Sequence, residues 1–589
     1  MKKLLSGNEA VARGAWEAGV NVVSAYPGTP STEILENLAK YKEIYAELAT
    51  NEKVGLEVAA GASFAGARAL TCMKHVGLNV AADPLFSMAY IGASGGFVIV
   101  SADDPGMHSS QNEQDNRYYA KMAKIPCLEP SDSQECLEMT RLAFELSEKF
   151  DTPVLLRLTT RISHSKGVVE LGERKEHKPT GYVKNIAKNI TIPAHARKMH
   201  AKVEERLKKL AEYGESFPYN KVEKGDQKLG IITSGISYQY AKDIFPGASY
   251  LKLSLTFPLP QKLIAGFINS VDEVYVIEEN DTFLEEQIKA MGYQVKGQSA
   301  FEKEITGKSK VPILGELDPT AVAKGFGLQP EPPYKNIQIP GRPPVLCPGC
   351  PHRGVFFALN KLKLTVAGDI GCYTLGMMEP LNAIDTVICM GGSVTAAMGL
   401  EKALGVEMAQ RTVAVIGDST FFHSGITGLI DMVYNNSQGT LIILDNRITA
   451  MTGHQENPGT GRTLQGQEAP IVDLEPLVRS CGVKHVQIID PLNLKQTEAA
   501  VKEAINNPGV SVIIAKSPCI LIEKKFQPAL RVDEDKCIGC KLCLKLGCPA
   551  ISFDKAKKKS QIDPLFCIGC QVCAQLCPKQ AMGRGEVVK

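Results

Sequence analysis

The 589-residue chain has no run of the roughly 20 apolar residues that a membrane-crossing helix needs, so no membrane partner is expected. It has no excess of charge either. Lys plus Arg total 66 against 64 Asp plus Glu, leaving +2, which argues against a bulk binder of nucleic acid or of a membrane surface. The opening MKKLLSGNEAVARGAWEAGV is basic but lacks a continuous apolar core and a small-residue cleavage site. No secretory leader is expected, and the chain reads as soluble and cytoplasmic. There is no convincing Gly-x-Gly-x-x-Gly turn followed by an acid, so no hydride-carrying dinucleotide is called for. Aromatic residues are 6%, which leaves substrate size unspecified.

What is present is apolar content of 44%, enough for real cores, and a length that suggests about four domains at roughly 150 residues each. Cysteine is the informative residue. There are 17, and eight fall between Cys537 and Cys577. An odd number, clustered in a chain without a secretion signal, points to metal rather than disulfides.

The patterning separates into blocks. Up to residue 166, VNVVSAY, GGFVIVSAD and PVLLRLT read as buried strands, and Asp132 to Phe150 carries helical spacing. Such alternation predicts α/β architecture, a doubly wound parallel sheet. Residues 167–228 form a charged connector with an amphipathic helix at Ala196–Tyr213. A second αβ block spans 229–330 with LGIITSG and EVYVIEE as strands, and 331–344 is a Pro-rich linker. A third block, 345–527, repeats the rhythm in LTVAGDIGC, TVICMGGS, TVAVIGDST, GTLIILDN and VSVIIAKSP. The last, 528–589, is too short and Cys-rich to rely on an apolar core, so bound clusters would supply its cohesion.

Cys537, Cys540, Cys543 and Cys548 follow C-x2-C-x2-C-x4-C-P, and Cys567, Cys570, Cys573 and Cys577 follow C-x2-C-x2-C-x3-C-P. In two-cluster ferredoxins the fourth Cys of each run serves the other cluster. Cys537, Cys540, Cys543 and Cys577 are therefore expected to hold one [4Fe-4S] and Cys567, Cys570, Cys573 and Cys548 another, in a ferredoxin-like α+β domain. A zinc module is the competing reading, and the x4 spacing departs from the usual x3.

In the third block Gly417-Asp418-Ser419 follows one strand and Asp445-Asn446 follows another, with 25 residues between Ser419 and Asp445. A carboxylate and an amide oxygen at neighbouring strand ends suit Mg2+, and strand C-termini of open parallel sheets are where ligands bind. The pattern resembles the thiamine diphosphate signature, usually GDG then NN, with Ser419 replacing the second Gly. In the first block Glu52 opens a helix of small residues, NEKVGLEVAAGASFAGARA. Thiamine enzymes need a shielded carboxylate beside N1′ of the aminopyrimidine. Glu57 is the nearby competitor, and a Glu placed only for the helix dipole is the alternative.

AYPGTPSTE, the Glu52 segment, CPGCPHR, GDIGCYTLG, GDS…DN and the ferredoxin tail occur in that order. Together they resemble the thiamine-dependent 2-oxoacid:ferredoxin oxidoreductases over essentially the whole chain. MKHVGLN and DDPGMHSSQNEQDNR bring it nearest to the branch that acts on aryl pyruvates such as indolepyruvate. The resemblance implies a pyrimidine-binding domain at 1–166, a transketolase C-terminal-like domain at 229–330 and a diphosphate-binding domain at 345–527.

It implies Glu52 as catalytic carboxylate, and Asp418, Asn446 and the Ile448 carbonyl as Mg2+ ligands beside Gly417. Pro27, Gly28 and Thr29 would line the pyrimidine or substrate pocket. Gly391, Gly392 and Ser393 would be a phosphate-side turn, a plain βα turn being the alternative. His75 and His108 are the candidates for the 2-oxoacid carboxylate, against a structural role for each. Cys347, Cys350, Cys372 and Cys519 would hold a third, proximal [4Fe-4S], with zinc or unliganded thiols as alternatives. Coenzyme A as co-substrate, ferredoxin as acceptor and a smaller beta subunit in an αβ or α2β2 assembly are implied too. Pyruvate, 2-oxoglutarate or a non-oxidative decarboxylation stand as rival activities.

Overall fold

The structure is a computed structural model that describes residues 1–292, 303–329, 340–341, 343–524 and 526–584. The chain divides into two compact units, Met1–Ile337 and Gln338–Lys589. Among the described residues no helix is long and apolar enough to cross a membrane.

The first unit is built on a seven-stranded sheet in the order Leu255–Phe257, Cys127–Leu128, Val154–Thr159, Phe97–Asp103, Ala69–Lys74, Val22–Ala25, Tyr45–Leu48. Only the Leu255–Phe257 pairing is antiparallel. Phe97–Asp103 and Val154–Thr159 are buried along their whole length, as central strands covered on both faces must be. The Ser133–Phe150 helix starts where the spacing placed it, with Asp132 capping the Glu135 amide at 2.8 Å.

The expected connector is part of this unit rather than a free link. Lys166–Glu170 pairs antiparallel with Lys2–Ser6. The amphipathic helix runs Pro193–Gly214, longer than read, and turns Met199, Val203 and Leu210 inward. Its Arg206 donates to the carbonyls of Ala89 (2.5 Å) and Asp151 (2.7 Å). The second αβ block has its own five-stranded sheet, and Lys221–Glu223 already belongs to it, so that block begins before residue 229. The expected linker 331–344 lies largely outside the described residues.

Buried charges join this block to the first sheet. Arg117 bonds Glu278 at 2.9 Å and pairs with Asp115. Arg157 bonds Asp103 (2.9 Å), Glu129 (2.6 Å) and Asn280 (2.7 Å). Severing such a pair leaves an uncompensated buried charge, which is costly.

The second unit holds a five-stranded parallel sheet in the order Thr365–Ala367, Thr412–Gly417, Thr440–Asp445, Ser511–Lys516, His485–Ile489. TVICM, read as a strand, is not one. Thr386 makes a single bridge to Ala367, and Ile388, 65% exposed, has no face to bury. The tail adds two short antiparallel pairs, Leu530–Val532 with Met582–Arg584 and Ile551–Asp554 with Lys559–Ile562. Its small core includes Cys543 and Cys573 beside Leu530, Leu546, Val572 and Met582.

Glu279 tests the buried network. It accepts from the Leu317 amide at 3.1 Å through one oxygen, the other has no hydrogen-bond partner, and burial pushes its carboxyl up to about 7. A raised folded-state pKa means stability declines as pH climbs from the unfolded value near 4 through 7. Glu279→Gln is therefore expected to be near neutral at pH 5 and stabilising at pH 8, read by denaturant unfolding at both. An equal effect at both pH values contradicts this.

Candidate functional site

Thr412–Gly417 and Thr440–Asp445 are hydrogen-bonded neighbours in parallel register, so the residues that follow them emerge side by side. Asp418 is buried, and Asn457 donates to its Oδ2 at 3.1 Å. Burial first, and the charge of Asp445 second, push the Asp418 carboxyl up to about 7. One terminal atom of the Asn446 amide stands 3.1 Å from Asp418 Oδ1 and 2.8 Å from the Ile448 carbonyl oxygen. As nitrogen, that atom donates to both. As oxygen, it stands from each of the other two at the spacing of neighbouring ligands on octahedral Mg2+, about 2.9 Å for bonds of 2.0–2.1 Å. The donor set thus fits a small hard cation, and Asn457 is the residue that reading the sequence missed. Ser419, the departure from the signature, accepts from Thr449 Oγ1 at 2.8 Å.

The expected phosphate-side turn is not presented through its amides. Those of Gly391 and Ser393 donate to the buried Asp369 carboxylate at 2.9 and 3.0 Å, and the Ser393 side chain also acts on that carboxylate.

A cysteine set adjoins this loop. The Cys519 amide donates to the Asn446 carbonyl at 2.9 Å. Tyr373, next to Cys372, reaches Thr420 through its hydroxyl at 3.3 Å. Cys372 lies within the electrostatic reach of Cys519 and Cys347, and Cys350 within that of Cys347 and Cys372. The four cysteines expected to form a proximal set are thus brought together. Burial, reinforced by neighbouring thiols, pushes Cys350 up to about 12 and Cys372 up to about 11.

In the tail, Cys537, Cys540, Cys543 and Cys577 line one small hollow, walled also by Ile538, Leu542 and Met582. Cys573 is flanked by Cys570, Cys548 and Cys567. The structure thus brings Cys548 to the second run, with Cys543 of the first run also within reach of Cys573. Amides of Leu530 and Ala581 donate to the sulfurs of Cys567 (3.4 Å) and Cys577 (3.2 Å), bonds that stabilise thiolate. Among the described residues no three of His, Cys, Asp and Glu converge as around a single ion. The first tail set is instead spread over the wall of its hollow, as four-iron ligands are.

In the first unit Glu52 opens the helix Glu52–Phe64 behind an Asn51 cap and is 5% exposed. A Cβ on Gly77 would stand 2.6 Å from its Oε1, so only glycine permits this approach. Glu57, the competitor, is exposed and paired with Lys53. Pro27 and Gly28 are buried and Thr29 half-buried; a Cβ on Gly28 would meet Lys74 Cβ at 3.0 Å.

The two histidines are corrected by their surroundings. His75 is fully buried, its Nε2 bonds the Asn112 carbonyl at 3.0 Å, and burial pulls its pKa down to about 4, so it carries no charge near pH 7. His108 is exposed and pairs with Glu316 at 3.0 Å. Lys74, half-buried, stands with its Cβ against Gly28 of the Pro27–Thr29 loop and donates through its ammonium to the Ser109 carbonyl.

Three family models match the chain: "Pyruvate flavodoxin/ferredoxin oxidoreductase, thiamine diP-bdg" over residues 13–212, "Thiamine pyrophosphate enzyme, C-terminal TPP binding domain" over 369–515, and "4Fe-4S dicluster domain" over 529–578. The chain is 44% identical to the indolepyruvate oxidoreductase subunit IorA of Archaeoglobus fulgidus, over 99% of this chain and 97% of that one. It is 43% identical to the same subunit of Pyrococcus horikoshii, over 98% and 96%. The 2-oxoglutarate synthase subunit KorA of Archaeoglobus fulgidus is 26% identical over 54% of this chain and 99% of its own length.

Asn457→Ala leaves Asp418 without its amide partner. It is expected to weaken Mg2+ binding about 10- to 100-fold, the usual effect of losing an outer-shell bond. Titration calorimetry with Mg2+ checks this, and unchanged affinity contradicts the ligand assignment.

Proposed function

We propose, for a chain that belongs to the family of indolepyruvate oxidoreductase IorA subunits, that it is the catalytic subunit for ferredoxin-dependent oxidative decarboxylation of aryl pyruvates. Indolepyruvate, coenzyme A and two oxidised ferredoxins give indoleacetyl-CoA, carbon dioxide, two reduced ferredoxins and a proton. The supporting observation is one hydrogen bond: the Asn446 carbonyl, on the Mg2+ loop, holds the amide of Cys519, a proximal-set cysteine.

Thiamine diphosphate, when bound, supplies an electron sink for the carboxylate that leaves as carbon dioxide. The chain's own residues do the rest. Glu52, shielded from water, is the carboxylate that shares a proton with the aminopyrimidine. Asp418, Asn446 and the Ile448 carbonyl would hold Mg2+, which would supply the charge that fixes a diphosphate, and the Ser393 hydroxyl would be a further phosphate contact. Lys74, in place of His75 or His108, would receive the 2-oxoacid carboxylate, its Cβ packing against Gly28 of the Pro27–Thr29 loop. Cys347, Cys350, Cys372 and Cys519 would hold a proximal cluster, and the eight tail cysteines would hold two more, which would supply one-electron carriers between the site and ferredoxin; Cys540 is the exposed member. A smaller beta subunit completes the enzyme, and coenzyme A captures the acyl group.

With the partner subunit, coenzyme A and ferredoxin, kcat/KM is expected to be highest for indolepyruvate and phenylpyruvate among a panel that includes pyruvate and 2-oxoglutarate. Glu52→Gln should lower the rate by about 10²-fold or more with iron content unchanged. Preference for pyruvate or 2-oxoglutarate overturns the substrate class. Release of free aldehyde without ferredoxin reduction overturns the redox reading.

A further inference from the structure

Arg353 lies in the CPGCPHR motif but has no part in the reaction assigned above. Its side chain is 5% exposed, and its guanidinium is enclosed by main-chain oxygens. Nε donates to the Cys347 carbonyl at 3.2 Å, and one terminal nitrogen to those of Leu546 (3.0 Å) and Gly547 (2.6 Å). The other terminal nitrogen donates to the Leu346 carbonyl. Two of these acceptors precede or belong to the proximal set and two belong to the ferredoxin tail, so one side chain ties both together.

Carbonyls accept four hydrogen bonds from it but do not balance its charge, and an unpaired buried cation is costly. The charges that act on it most are those of Cys548, Cys350, Cys347 and Cys570, with no carboxylate among them. Cys347 and Cys350 belong to the proximal set. Cys548 and Cys570 belong to the second tail set. The two sets also approach through backbone: a Cβ on Gly349, between Cys347 and Cys350, would lie 2.0 Å from Ile568 Cδ1 and 3.7 Å from Cys570 Cβ. The tail set facing the proximal one is therefore Cys548, Cys567, Cys570 and Cys573, while Cys537, Cys540, Cys543 and Cys577 line the separate hollow.

We propose that Arg353 is the shared counter-cation of the proximal cluster and of the cluster held by Cys548, Cys567, Cys570 and Cys573, and that it positions the one-electron step between them. This rests on the three-cluster reading given above. In that step one electron leaves the proximal cluster, which is oxidised by one, and enters the facing tail cluster, which is reduced by one; no bond breaks and no proton moves. Each cluster becomes more negative when it holds the electron. A fixed cation beside both makes both easier to reduce, and removing it lowers both potentials.

The experiment is an EPR-monitored redox titration of anaerobically purified complex, with dithionite and mediators and no oxoacid, on the wild type, Arg353→Lys and Arg353→Gln. Because no turnover is needed, failure of the thiamine chemistry would leave the result readable. Arg353→Gln is expected to shift the potentials of two clusters downward together and leave the third in place, while Arg353→Lys, which keeps the charge, stays near wild type. Should Arg353→Gln lose iron while Arg353→Lys assembles with wild-type potentials, the charge is again the cause. The proposal is overturned if the Gln variant keeps wild-type potentials, if only one cluster shifts, or if Lys and Gln shift alike. It is overturned equally if both variants lose iron alike, which marks a purely structural role. A wild-type count of about eight iron atoms per chain rather than about twelve, at four per cubane, removes the proximal cluster and this proposal with it.

Discussion

Thiolates crowded together and taken out of water repel one another, and this constraint governs the second unit. Burial lifts the thiols of Cys350 and Cys573 to about 12 and that of Cys372 to about 11, with neighbouring cysteines adding to the effect in each case. Iron reverses that balance, since a cluster binds the anion and disperses its charge over four metals and their sulfides. The tail depends on it most directly: Cys543 and Cys573 stand inside its only sizeable apolar cluster among the described residues, where a larger domain would place aliphatic side chains. Folding of the tail and its capacity to carry electrons are thus one property.

The parallel sheet supplies the other half of the design. Because Thr412–Gly417 and Thr440–Asp445 run in register, the turns after them must emerge together, and Asn446 meets both Asp418 and the Ile448 carbonyl without any distortion of the strands. The next strand in the sheet, Ser511–Lys516, leads at the same end into Ser517, whose amide bonds the Asp445 carbonyl at 3.0 Å, and then into Cys519. Three consecutive strand ends therefore bring the oxygens of Asp418 and Asn446 next to Cys519, a cysteine of the expected proximal set. An oxidative path needs that adjacency, whereas a decarboxylase releasing an aldehyde has no use for it.

Much of this was legible in the residues because it rests on local spacing. Iron–sulfur ligands recur at fixed short intervals, so the eight tail cysteines of a two-cluster domain could be named from the tail alone. Asp418 and Asn446 were legible because each sits at the end of an unmistakable apolar strand. What escaped notice acts across long separations. Asn457 reaches a carboxylate 39 positions away, and Arg353 donates to carbonyls 193 and 194 positions away. The histidines misled because the role of a His depends on the loop laid over it, and for His75 that loop offers only the Asn112 carbonyl. TVICM misled because an apolar run without a period does not declare whether a sheet will accept it.

The central claim is that electrons released at the strand-end site enter iron held by this same chain. Rapid-freeze EPR of the anaerobic complex mixed with phenylpyruvate alone, without coenzyme A or ferredoxin, tests it most directly. The account predicts reduced-cluster signals within a single turnover, absent from Glu52→Gln. A wild-type sample that carries its full iron and thiamine diphosphate, consumes the oxoacid and yet leaves every cluster oxidised would contradict it.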